Sequence, residues 1–241
     1  MKTIRVVLTL AMIAVASTSY AGLLVDLRPV AGTGYTVLGD GKTVSFSAPG
    51  VFNVNYELWG VMTGTDGTLT NDGLQTVTGG VENVPLVGPS INKFTAFTIA
   101  NYVAPFTAST GAISRTDNLI GTKGATTTTN AIVAGAPTPM PMNTASVNSY
   151  KLAAFTSEAT VSGLNGQPFA SVNYVKAGNG IPTYTFMMDG TPRNGMAAGN
   201  ALVTVGAPVQ LVGEVPEPGT FVLLGAGVFG VGLMLWRRKR A

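Results

Sequence analysis

The chain has 241 residues, a formal net charge of +3 and a charged fraction of 10%. It contains no Cys and no His, which excludes disulfides, thiolate chemistry, Ser-His-Asp triads and ordinary zinc sites. The positive charge is uneven: six of the 14 Lys/Arg lie at the two ends, and the stretch Gly22 to Val215 carries eight Lys/Arg against ten Asp/Glu. The high sequence pI therefore reflects the termini, and no nucleic-acid partner is expected.

In chain order, the first segment reads MKTIRVVLTLAMIAVASTSYAG. Lys2 and Arg5 precede an apolar run from Val6 to Ala16, and small residues follow, with Ser19 and Ala21 at the −3 and −1 positions before Gly22. The run is short for a span of roughly 20 residues. Residues 1–21 are read as a secretory signal peptide, cleaved between Ala21 and Gly22.

The body, residues 22–213, alternates short apolar–polar runs with Gly, Asn, Asp and Pro. The clearest run is Val51 to Trp59, where Phe52, Val54, Tyr56 and Leu58 share one face and Asn53, Asn55 and Glu57 the other. Period two over that length predicts a half-buried strand. Weaker runs are expected at 23–28, 35–38, 43–47, 74–78, 93–99, 150–156, 159–162, 169–176, 183–188, 201–205 and 209–212. Asp-Gly and Asn-Gly pairs at 40–41, 66–67, 72–73, 165–166, 179–180 and 189–190 suit tight turns. No part of the body shows helical periodicity with caps. The expected fold is all-β, an antiparallel β-sandwich with Greek-key-like connections. Residues 120–143 hold a Thr run and alternating prolines, read as a long loop or linker in one domain, the alternative being a joint between two β units. Edge strands so poor in charge invite pairing with another copy, so self-association is an expected partner mode.

Three sites stand out in the body. Trp59 with Asn53, Asn55 and Glu57 forms a candidate ligand face, able to stack on a sugar ring and bond its hydroxyls, with polysaccharide the expected partner. Asp66, Asn71 and Asp72 offer oxygens for calcium, although the loop does not follow the EF-hand pattern. The isolated acids Asp26, Glu57, Glu82, Asp117, Glu158 and Asp189 form the pool for a glycosidase pair, but no spacing marks any two. No catalytic residue is assigned. The body is expected to be a non-catalytic surface or matrix protein, with a carbohydrate-active enzyme or carbohydrate-binding module as the alternative.

The tail, residues 214–241, has three parts. Val215, Pro216, Glu217 and Pro218 form a stiff, unpaired segment. An uncharged apolar run follows from Thr220 to Trp236, long enough for a membrane helix. Arg237, Arg238, Lys239 and Arg240 close it, and cations in that position stay cytoplasmic. This order resembles the PEP-CTERM sorting signal. The resemblance implies an exosortase-like enzyme that cleaves near Pro216-Glu217-Pro218. It also implies transient anchoring in the inner membrane, then release to the cell surface or extracellular matrix, in exopolysaccharide and biofilm settings.

Overall fold

A computed structural model describes residues 22–63, 68, 71–87, 92–95, 97–108, 115–121, 132–135, 149–176, 182–196 and 202–214. The expected signal peptide and membrane helix lie outside these residues. Among the described residues no helix is long and apolar enough to cross a membrane.

The described chain is all-β. Its strands are β1 (Gly22–Val30), β2 (Thr36–Val37), β3 (Thr43–Phe46), β4 (Gly50–Thr63), β5 (Gly73–Pro85), β6 (Asn92–Phe94), β7 (Thr107–Ala108), β8 (Arg115–Thr116), β9 (Leu119–Gly121), β10 (Ile132–Gly135), β11 (Ser149–Val161), β12 (Pro168–Lys176), β13 (Pro182–Met188), β14 (Thr191–Met196), β15 (Val203–Val205) and β16 (Val209–Gly213). They form two sheets. The smaller runs β15-β1-β4-β11-β6, and the larger runs β14-β13-β5-β12-β16-β3-β2 with β7 to β10 joined to it beside β5. Early and late strands interleave in both sheets, so the described residues make one two-layer body. The expected antiparallel pairing holds for most neighbours. The exceptions are β1 with β15 and β3 with β16, which pair in parallel. Both involve late strands that cross from one sheet to the other.

The best sequence signal becomes the best strand. β4 buries Val54, Tyr56 and Leu58 and turns Asn53 and Asn55 to solvent, and it pairs along its whole length with β1 and β11. The runs at 150–156 and 159–162 fuse into the single strand β11. The stretch 120–143 contains β10, which pairs with both β5 and β7.

The inner faces meet in a core of Tyr, Phe, Leu and Val. Phe46 of the larger sheet packs on Phe52 of the smaller, with ring centroids 5.1 Å apart, and also on Tyr35 and Phe169. The layers approach closely at Gly60, where an added Cβ would lie 2.4 Å from Leu74. A polar network crosses the same interface. Asn83 of β5 donates to the Asn92 carbonyl at 2.6 Å, and the Asn92 amide donates back to Asn83 Oδ1 at 2.9 Å. Ser157 of β11 donates to Asn92 Oδ1 at 2.7 Å, and its hydroxyl lies 3.1 Å from that of Tyr56 on β4. Within this network the polar groups offset their burial by bonding one another.

Turn chemistry follows the sequence where the chain is described. Asp189 and Gly190 both take positive φ, 50° and 72°, and close the β13–β14 hairpin. Asp40 accepts from Lys42 N, Thr43 N and the Thr43 hydroxyl, the last at 2.6 Å. These bonds, the Thr43 hydroxyl foremost, hold its carboxyl below the usual range. Asp72-Gly73 is different: it makes no hairpin turn but leads straight into β5.

Candidate functional site

The alternation of β4 lays Asn53, Asn55, Glu57 and Trp59 along the outer face of the smaller sheet. Register sets their neighbours: Arg28 stands opposite Glu57, Asp26 opposite Trp59, and Lys151 on β11 also opposite Trp59. Glu57 Oε2 accepts from Trp59 Nε1 at 2.9 Å, and Glu57 Oε1 accepts from Lys151 Nζ at 2.8 Å. The Arg28 guanidinium lies 4.9 Å over the Trp59 ring, and its Nε donates to Asp26 Oδ2 at 2.9 Å. Lys42 reaches across from the larger sheet to Asp26 Oδ1 and to the Leu27 carbonyl. The result is a charge ladder, Lys42–Asp26–Arg28–Trp59–Glu57–Lys151, over three strands of one face. Within it the Trp59 ring is held by Glu57 at its edge and covered by Arg28 on one face.

Further along the same face, Asn53 and Asn55 line a groove of about 520 Å³ with Thr33, Gly34, Val51 and Phe52. Gly34 sits at φ 86°, and a Cβ there would lie 2.7 Å from the Phe52 ring. The loop after β1 can therefore lie flat against β4 only with glycine at this position. Tyr35 secures that loop by donating to the Val30 carbonyl at 2.7 Å and accepting from Asn55 N at 3.1 Å. Asn55 Oδ1 accepts from Thr156 at 2.9 Å. The structure thus divides the expected four-residue face. Asn53 and Asn55 belong to a groove with Thr33 and Gly34, which the sequence did not flag, while Glu57 and Trp59 belong to the ladder.

At the opposite end lies the expected calcium loop. Asp66 is outside the described residues. Asp72 is fully buried, and its Oδ1 accepts from Asp189 N at 2.9 Å. The Asn71 carbonyl accepts from Gly190 N at 2.9 Å. Asp72 Oδ2 and the Tyr150 hydroxyl are both buried without a hydrogen-bond partner among the described residues. Burial, with the Asp72 charge beside it, pushes the Tyr150 hydroxyl up to about 12. No cluster of three or more acidic side chains suited to a metal occurs among the described residues. Asp72 is placed to brace the β13–β14 turn.

Of the glycosidase pool, Asp26 and Glu57 are diagonal neighbours across β1 and β4. Asp26 and Glu57 are both tied to cations in the ladder. Asp117 lies 3.7 Å from Lys93, and Glu158 stands across from Lys93 on the exposed face.

The remaining site is the exit of the chain. Glu214 N donates to the Phe46 carbonyl at 2.9 Å, directly after β16. Gly22 opens β1 at the other end of the sandwich. Ala21, the segment Val215 to Pro218 and the cluster Arg237 to Arg240 lie outside the described residues.

Comparison with known proteins separates tail from body. Residues 214–239 match the PEP-CTERM protein-sorting motif. The tail is a PEP-CTERM sorting signal, which marks an exported protein anchored transiently through its C-terminus before an exosortase cleaves it. No curated protein matches the chain. Among solved structures, the seventh ScaB type I cohesin from Pseudobacteroides cellulosolvens aligns over 82% of this chain and 96% of its own, at 9% identity and a TM-score of 0.37. The sixth cohesin of scaffoldin B from Acetivibrio cellulolyticus, solved with a mutant Cel5 dockerin, aligns over 81% and 99%, at 11% identity and a TM-score of 0.31. Likeness at this level assigns no family or partner to the body.

Proposed function

We propose that the body is a non-catalytic adhesion module of the cell surface or extracellular matrix, delivered by its sorting tail and binding polysaccharide weakly through the groove at Asn53 and Asn55. The groove is the observation that carries this reading. Two amides and the Thr33 hydroxyl beside the edge of Phe52 offer donors, acceptors and an apolar surface, the set a sugar ring requires. Asp26 and Glu57, the pool acids that share a face, are both paired with cations, which supports binding without hydrolysis. The C-terminal cations support a topology with the tail's end in the cytoplasm and the body outside the inner membrane. Cleavage near Pro216-Glu217-Pro218 then frees the body into exopolysaccharide.

The test is affinity electrophoresis of the processed protein in gels containing the host's exopolysaccharide. The double variant Asn53→Ala/Asn55→Ala is expected to lose most of the retardation, whereas Trp59→Phe, which keeps the ladder's ring, keeps it. Equal retardation of wild type and double variant would remove the groove from the binding site.

A further inference from the structure

Among the described residues five large apolar side chains are exposed, and three of them, Val51 (62%), Leu86 (49%) and Val87 (55%), lie at one end of the sandwich. Register and hydrogen bonds fix that placement. Val51 pairs with Thr160 near the end of β11. Leu86 N donates to the Phe169 carbonyl at the start of β12. The loop between those strands bonds the last residue of β16, Gly166 N to the Gly213 carbonyl, at 2.8 Å. All three residues therefore share the end at which Glu214 leaves for the membrane. The described loops at this end, 31–35, 47–50, 86–87 and 162–167, contain no Asp, Glu, Lys or Arg. The far end, by contrast, carries Asp40, Lys42, Asp72 and Asp189.

The tether is short. The six steps from Glu214 to Thr220 span at most about 21 Å even when fully extended. The headgroup layer takes up roughly 5–7 Å of that. A body tied this closely meets the bilayer at a high effective concentration. Apart from Glu214 at the root of the tether, the described loops of this end meet it without desolvating ions.

We propose that this end seats on the lipid surface. Before processing, Val51, Leu86 and Val87 press into the interfacial layer of the membrane that holds the tail. The inference rests on the sorting reading and adds an orientation to it. Seating keeps Val215 to Pro218 beside the membrane at the depth where an embedded enzyme works. Three side chains hold too weakly to retain the body once the tail is cut.

The chain lacks Cys, so single-cysteine variants take one label each. The full-length chain is placed in phosphatidylethanolamine/phosphatidylglycerol vesicles with an environment-sensitive fluorophore at Val51→Cys, Val87→Cys, Leu38→Cys or Val205→Cys. Quenching by lipid-borne nitroxide is expected to be several-fold stronger at 51 and 87 than at 38 and 205. Equal, weak quenching at all four positions in vesicle-bound protein would overturn the seat while leaving anchoring intact. Protection at 51 and 87 that appears only with added processing enzyme, or only at high protein density, would also overturn it, in favour of a protein contact. Protein that does not float with the vesicles would sink the anchored state itself, and the seat with it.

Discussion

At the scale of single residues, Asn92 holds the two layers together more tightly than its size suggests. It serves Asn83 on one sheet and Ser157 on the other. Asn92→Ala leaves buried Asn83 Oδ1 without its donor, a cost of about 1–3 kcal/mol, and takes from Ser157 the shorter of its two hydroxyl bonds. A loss of about 2–4 kcal/mol in denaturant unfolding is expected. A loss well below 1 kcal/mol would mean that water replaces the amide. Phe46→Ala should cost about 3–5 kcal/mol by the same measure, because the ring is fully buried among three other rings. The buried tyrosines set an alkaline limit. Burial pushes the Tyr184 hydroxyl up to about 12 and raises Tyr56 and Tyr174 as well. A raised folded-state value means that stability is fully present below pH 10 and lost above it, because the unfolded chain releases its protons first. Tyr184 removes about 1.4 kcal/mol per pH unit between roughly 10 and 12, and Tyr56 and Tyr174 add to the fall above pH 10. Thermal melts between pH 8 and 12 should therefore hold level and then fall steeply. Tyr184→Phe should flatten that fall, provided the hydroxyl pair with Tyr174 adds little below it.

At the scale of elements, legibility followed local pattern. β4 announced itself because one face is buried and one is wet, so its period of two is visible. β5 is longer than the run 74–78 suggested, and the reason lies at Gly79 and Gly80. Up to Gly79 the strand pairs with β13 and β10, and from Gly79 onward with β12 and, from Gly80, with β9. Two glycines that read as a break are the point where a continuous strand changes partners. A Cβ at Gly79 would lie 2.3 Å from the Tyr174 hydroxyl and 2.5 Å from the Val175 carbonyl. Gly79→Val should therefore give insoluble or unfolded protein, whereas Gly163→Ala, with open space around it, should melt with the parent. The candidate sites were legible only in part. Asn53 and Asn55 could be read from β4, but Thr33 and Gly34 join them through a loop packing that no spacing encodes. Arg28 covers Trp59 because of a strand register. Asp72 meets Asp189 across 117 positions of sequence. The shortness of the outer strands was equally invisible. β2, β6 and β15 have two or three residues each, and β14 carries Pro192 and Arg193. Such edges give another copy little to pair with, which weakens the edge-pairing route to self-association.

At the scale of the whole molecule, the last strand matters most. β16 lies inside the larger sheet, between β12 and β3, and it is parallel to β3. Removing residues 209–213 should leave β2 and β3 without a connection to the rest of that sheet, and protease resistance should be lost across the body. The order of synthesis gives this a temporal meaning. An exported chain emerges from its N-terminus, so the strand that completes the sheet emerges last. Seven residues past its end the apolar run of the tail begins. The body therefore reaches its native state only when the last strand of the larger sheet has been delivered. Until then the chain is an open, non-local β chain of the slow-folding kind. Under the proposed membrane topology, arrest of translocation and completion of the fold fall at almost the same moment. A sorting enzyme that acts on the tail then meets a finished domain rather than a nascent one.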